Sequence, residues 1–237
     1  MNDYQYVGTE LEMFGQARNW KQYLRARIGP FLGLDVLEVG AGIGGTTRVL
    51  VNNNHRQWLC LEPDASLAEE LEKRIDQGEL PEFCQARVGT LTDISSRKSF
   101  DTILYVDVLE HIQDDLQETI IATERLKPGG RLVVLAPAHQ WLFTEFDKCV
   151  GHYRRYNRRS LLALTREPLV PERFEYLDSC GCFASLANRL ILKSEMPSMR
   201  QIIFWDRILV SLSRYVDPLI GRRAGKSILG VWRRRET

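Results

Sequence analysis

Residues 35–45 read DVLEVGAGIGG, and the architecture of the chain turns on that stretch. Val36, Leu37 and Val39 give a short apolar run, the pattern of a buried strand. The run stops at glycines. Gly40, Gly42 and Gly45 satisfy G-x-G-x-x-G. Alone, that spacing says that a strand turns sharply into a helix and lets something approach the backbone closely. Glu38 stands two residues before the first glycine, where a carboxylate is costly unless it has a partner.

Working outward, strands and helices alternate. QWLCLEPD (57–64) reads as a second strand ending in acids, and the helix after it sets Leu67, Leu71 and Ile75 on one face. EFCQARVGTL (82–91) and FDTILYVDVL (100–109) are the third and fourth strands. Asp114 can cap the next helix, with Gln117 three residues on, and Pro128-Gly129-Gly130 is expected to end it. RLVVLAPA (131–138) is the fifth strand, RFEYLDSC (173–180) the sixth, and KSILGVWRRR (226–235) the last. Such alternation implies a mostly parallel sheet with helices on both faces. Its ligands sit beyond the carboxyl ends of the strands. Tyr4 to Leu32, with Leu11, Phe14 and Tyr23 in step, reads as helical.

Composition narrows the function. The 237 residues hold 32 basic and 31 acidic side chains, a formal net charge of +1. A protein built mainly to hold nucleic acid carries a clear basic excess, so no nucleic-acid partner is expected. The five cysteines are scattered without zinc-site spacing and read as reduced thiols of a cytosolic protein. MNDYQYVGTE has no signal-peptide pattern, and no apolar run is long enough to span a bilayer. A cytoplasmic location is expected.

Glu62 ends the second strand, where an acid can accept hydrogen bonds from both hydroxyls of a ribose; a solvated strand end is its alternative. A glycine loop with a ribose acid fits a dinucleotide or S-adenosylmethionine. A dinucleotide needs its pyrophosphate at the helix N-terminus. Glu38 would repel that pyrophosphate and suits the ammonium of a methionine tail, which favours the methyl donor.

The motifs agree with that choice as a set. LEVGAGIGG resembles the first motif of class I S-adenosylmethionine-dependent methyltransferases, and CLEPD resembles their second. VGTL (Val88 to Leu91) sits where that family contacts adenine. LYVDVLEHI resembles the strand-four motif and LKPGGRLVVLAPA the strand-five motif. The resemblance implies a Rossmann-like seven-stranded sheet, mostly parallel, with the last strand antiparallel. A helical cap is expected before that strand, because the segment from Gly181 to Gly225 is too long for a simple linking helix. One domain is expected: lid helices over 1–33, a cofactor-binding core over 34–138, and a substrate loop, cap and last strands over 139–237.

Carried across by position, Gly40, Ala41, Gly42 and Gly44 line the methionine and ribose end, with Glu38 orienting the tail or the loop. Glu62 and Pro63 face ribose and adenine, Thr90 and Leu91 flank adenine, and Val106 and Asp107 lie beside the donor. Thr90 departs from the pattern, since an Asp is common there. ARNWKQY resembles the lid helix of some bacterial relatives, which makes Trp20 and Tyr23 cofactor candidates; packing on the sheet is their alternative. A nicotinamide-dependent oxidoreductase and an RNA-modifying protein remain as competing readings.

Methyl transfer requires alignment and, for a nucleophile carrying a proton, a base. His111, Asp107, Asp147 and His152 are the groups near the expected strand ends, and histidine is the better base near neutral pH. A structural role is the alternative for His111. Asp107, Glu110 and His111 form D-x-x-E-H, which resembles the E-x-x-E-H metal site of small-RNA 2′-O-methyltransferases and ubiquinone-pathway O-methyltransferases. The shorter first acid counts against it, and no metal is expected.

PAHQWLFTEFDKCVGHYRRYNRRSL (137–161) resembles a pattern in bacterial methyltransferases of glycan and natural-product pathways. It puts Arg155 and Tyr156 at the substrate, while Arg155 can equally pair with Asp147. Arg158 and Arg159 read as solvated residues before a helix starting at Ser160. The expected acceptor is a small molecule, natural product or glycan, methylated at oxygen. QIIFWDRILVSLSRYVDPLI (201–220) is an amphipathic helix with Ile202, Trp205, Ile208, Leu209, Leu212, Tyr215 and Val216 on one side. That face suits core packing or a homodimer, with a membrane surface as the other option.

Overall fold

The computed structural model describes residues 15–187 and 198–236. The part of the N-terminal helical expectation that includes Leu11 and Phe14 lies outside those residues. Seven strands form the centre: β1 (Asp35–Val39), β2 (Gln57–Glu62), β3 (Cys84–Val88), β4 (Phe100–Val106), β5 (Leu126–Pro137), β6 (Leu169–Leu177) and β7 (Ser227–Arg234). Their order is β3-β2-β1-β4-β5-β7-β6. The first five pair in parallel, and β7 runs antiparallel to both β5 and β6.

Burial alternates along the central strands as a two-residue period requires. Leu37, Val39, Leu59, Leu61, Ile103, Tyr105, Leu132 and Val134 enter one core. Val36, Trp58, Cys60, Leu104, Val133 and Leu135 enter the other. Each fully buried Leu, Ile or Val stabilises by about 1.5–3 kcal/mol. The two faces are covered by α1 (Arg18–Ile28), α2 (Thr47–Leu50), α3 (Ala65–Asp76), α4 (Asp115–Glu124), α5 (Glu145–Cys149), α6 (Arg158–Leu162) and α7 (Ser179–Ala187). Then come α8 (Met199–Phe204), a π-helical stretch (Trp205–Val210) and α9 (Ser211–Leu219).

Several boundaries follow from local chemistry. Asp114 caps α4 by accepting from the Gln117 N–H at 2.9 Å. Pro128-Gly129-Gly130 does not end that helix: it lies inside β5, which starts at Leu126. The reason is crowding against β4. A Cβ on Gly130 would stand 2.9 Å from the Lys127 carbonyl and 3.1 Å from those of Asp101 and Phe100, at an irregular point of the pairing. Helix α6 begins at Arg158, two residues earlier than expected, because Asn157 accepts from the Ser160 N–H at 2.9 Å.

The C-terminal helical stretch departs from the expected amphipathicity. Its buried residues are Ile202, Asp206, Val210, Ser213 and Asp217, while Phe204, Ile208, Leu212, Tyr215 and Leu219 are exposed. The predicted apolar side is thus split, with Ile208, Leu212 and Tyr215 outside. Two buried acids explain it, since each holds the N-terminus of another helix, where N–H groups lack partners. Asp206 accepts from the N–H groups of Asn19 (3.2 Å) and Trp20 (2.8 Å) at the start of α1. Asp217 accepts from those of Asp178 (2.8 Å) and Ser179 (3.0 Å) at the start of α7.

Candidate active site

The glycine loop leaves β1 through left-handed backbone: φ is +68° at Gly40, +54° at Gly42 and +78° at Gly44. At Gly40 the constraint is double, because a Cβ would also meet Val108 Cγ2 at 2.5 Å. This loop floors one half of a cleft of about 2060 Å³ at the carboxyl ends of the parallel strands. Single-ligand pockets span roughly 300–1,000 Å³, so two molecules fit side by side.

Glu62 lines this half and is itself 5% exposed. One oxygen accepts from the Gly42 N–H at 2.8 Å and the other from the Asp64 N–H at 3.0 Å. The carboxylate is therefore fixed against the loop and keeps further lone pairs. Burial pushes its carboxyl upward, opposed by those two backbone donors. Glu38 does not reach the cleft. It lies beneath the loop, accepting from Thr47 Oγ1 (2.7 Å) and Trp58 Nε1 (2.8 Å), and burial pushes its carboxyl up to about 7.

Ala41, Pro63, Thr90, Leu91, Val106, Asp107 and Trp20 all line the cleft. Three residues beyond Thr90, Asp93 also lines the cleft, and its Oδ2 accepts from the Thr90 N–H at 2.7 Å. Asp107 holds φ at +54°, an uncommon conformation for a non-glycine residue. It opens onto the cleft, yet the dense wall around it pushes its carboxyl upward. Tyr23 is a correction. It does not line the cleft; its hydroxyl donates to Asp217 at 2.7 Å, inside the core between α1 and α9.

The other half of the cleft is made of side chains. His111, His152, Arg155, Glu110 and Lys226 line it. Asp147 stands behind them, fully buried, and accepts from His152 Nδ1 at 2.8 Å and from Arg155 Nε and Nη2 at 2.8 and 2.9 Å. Burial alone would raise the Asp147 carboxyl; the bonds from His152 and Arg155 outweigh it and hold the group well below the usual range. An ionised carboxylate only accepts, so the proton of neutral His152 sits on Nδ1 and Nε2 is left as an acceptor.

Glu110 is fully buried and neither of its carboxylate oxygens has a hydrogen-bond partner among the described residues. Burial, with Asp107 nearby, drives its carboxyl well upward. Glu110, His111 and His152 bring ligand atoms within 4.8 Å of one another. The His111 ring meets His152 edge-on at 4.5 Å, and burial, then His152, lowers His111 to about 4.

Tyr156 is a second correction. It is buried, and its hydroxyl donates to Asp115 at 2.7 Å, anchoring the start of α4. Arg155 answers the question the sequence left open, because its fork is held by Asp147. Lys226 and Trp205 were missed. The Lys226 ammonium lies 4.8 Å from the Trp205 ring, and burial lowers its pKa. In sequence Lys226 is only the first residue of a terminal strand, with no local pattern to mark it.

Residues 37–132 match the model of a family described as a methyltransferase domain. A demethylmenaquinone methyltransferase of Tropheryma whipplei is 29% identical over 185 residues, covering 73% of this chain and 69% of that protein. Among solved structures, the cyclase SpnF superposes with a TM-score of 0.66 at 14% identity, over 98% of this chain and 96% of its own. The N-methyltransferase NodS from Bradyrhizobium japonicum, in complex with S-adenosylhomocysteine, gives 0.58 at 13% identity over 97% and 93%. At such identities the structures speak for the fold. Sheet order, glycine loop and matched domain together define an α/β enzyme whose cofactor is S-adenosylmethionine. The matched domain and the sheet order support a class I S-adenosylmethionine-dependent methyltransferase. Among the described residues, no helix is long and apolar enough to cross a membrane.

Proposed function

We propose that this enzyme methylates a hydroxyl of a small-molecule or sugar-containing acceptor, with His152 as general base. The observation that carries the reading is the Asp147–His152 hydrogen bond of 2.8 Å, which turns Nε2 away from Asp147, 3.8 Å from Glu110 Oε1. A hydroxyl nucleophile has a proton to lose, whereas the sulfonium-bound methyl group needs no further activation.

The residues fit the cofactor. Glu62, already fixed by two backbone donors, offers lone pairs to the ribose diol, and the bare backbone of Gly40 to Gly44 admits the methionine tail. Pro63, Thr90 and Leu91 flank the adenine, with Trp20 closing from α1. S-adenosylmethionine supplies an electrophilic methyl group. Asp147 holds the imidazole, His152 Nε2 takes the hydroxyl proton, and the carboxylate stabilises the imidazolium formed. Arg155 positions Asp147 and keeps it ionised. Lys226 is a candidate anchor for an anionic part of the acceptor. We read residues 1–33, 34–138 and 139–237 as lid, cofactor core and acceptor part of a single domain.

An acceptor panel of paired hydroxyl and amine compounds, with demethylmenaquinone and nucleotide sugars included, tests the reading by product mass. Transfer confined to the amines would sink it. Calorimetry with S-adenosylhomocysteine and NAD checks the cofactor.

One observation favours a second reading. The unpartnered Glu110 carboxyl, with His111 and His152 beside it, is a donor set that a divalent cation would satisfy. Titration of the protein with Zn²⁺ or Mn²⁺ decides it. Stoichiometric binding abolished by Glu110→Gln would move His152 from base to ligand.

A further inference from the structure

We propose that the outward face of the stretch from Ser198 to Arg223 docks on an anionic lipid surface. Helices normally bury their large apolar residues, and here many of them are presented to solvent. Tyr215 is 76% exposed and Leu219 84%, with Phe204, Ile208 and Leu212 each half exposed or more. They recur at intervals of three and four residues, so they form one stripe rather than scattered surface residues. Phe183, on the neighbouring α7, is also exposed.

Charge selects the partner. The acids of this stretch are Asp206 and Asp217, and both are buried at the starts of α1 and α7. Arg200, Arg207, Arg214 and Arg223 are exposed. The surface is therefore apolar residues interleaved with cations of one sign. A two-fold dimer through this stripe would set arginines against arginines, which is unfavourable. A bilayer interface with anionic headgroups accepts both the apolar side chains and the arginines. The geometry has a consequence for catalysis, since Trp205 of the same stretch lines the cleft. Docking would hold the rim of the acceptor half against the membrane.

Cosedimentation of the full chain with vesicles tests this, using phosphatidylcholine alone and with about one third phosphatidylglycerol. Binding is expected to the mixed vesicles only, and to be lost at about 1 M salt, where charges are screened within about 3 Å. Leu212→Asp with Leu219→Asp should weaken it by at least about tenfold. Each of Arg207→Gln and Arg214→Gln should weaken it about fivefold. Affinity for S-adenosylhomocysteine and the melting temperature report folding and should not change. Equal binding to both vesicle types, or none by protein that still binds S-adenosylhomocysteine, overturns the proposal. So does a dimer seen by light scattering that the Leu212/Leu219 pair dissolves without any vesicle binding.

Discussion

At its cofactor end the cleft is walled largely by backbone: a glycine turn, the ends of β1 and β2, and one carboxylate pinned by two N–H groups. At its acceptor end the wall is side chains from distant segments, with His111, His152, Arg155 and Lys226 gathered about a buried Asp147. The first end is rigid because left-handed glycines and a parallel sheet leave it no other shape. The second is rigid only as long as its charges stay paired. A family can therefore keep one cofactor while altering its acceptor.

The largest expected effect breaks the first end alone. Glu62→Ala removes two charge-assisted hydrogen bonds to the ribose and should weaken S-adenosylhomocysteine binding about a thousandfold by calorimetry. Unchanged affinity would take Glu62 out of the ribose role. Second, His152→Ala should lower kcat about a hundredfold while leaving that affinity intact, which separates the two ends. Equal losses in both would show that they are one unit. Third, Gly40→Ala places a methyl group in left-handed backbone and against Val108. A loss of about 1–3 kcal/mol in denaturant unfolding is expected.

The smallest effect sharpens the support beneath the loop. Glu38 titrates near 7 in the fold against 4.5 for the free side chain, so between those values the folded protein holds a proton that the unfolded chain releases. The stability tied to Glu38 is thus greatest below its unfolded pKa and declines as pH rises toward 7. Glu38→Gln should flatten that decline. Its melting temperature relative to the parent protein should rise from pH 5 to pH 8, and a constant difference would refute the shift.

The glycine-loop half of the cleft was legible because its demands are local. Gly40, Gly42, Glu62 and Leu91 stand at fixed offsets from strand ends, and those ends announce themselves in apolar runs. The mostly parallel pairing followed from the same alternation. Lys226 and Trp205 were illegible, since no local pattern marks either and their meeting depends on how the segment before β7 folds back on the π-helical stretch. Tyr156 and Tyr23 misled for a related reason: an aromatic beside basic residues looks like a binding group, yet both hydroxyls found buried acids, Asp115 and Asp217. The C-terminal helix misled because apolar periodicity does not say which side faces in when two acids are needed inside.

The order of the sheet has a consequence for how the chain comes to be folded. β6 has β7 as its one strand partner, and β7 fills the place between β6 and β5. Strands β1 to β5 can assemble as soon as they leave the ribosome, but β6 waits until β7 has emerged. Until then β5 has an open edge that invites pairing with another nascent chain. Translation paused before residue 227 would leave both β5 and β6 with an unpaired edge.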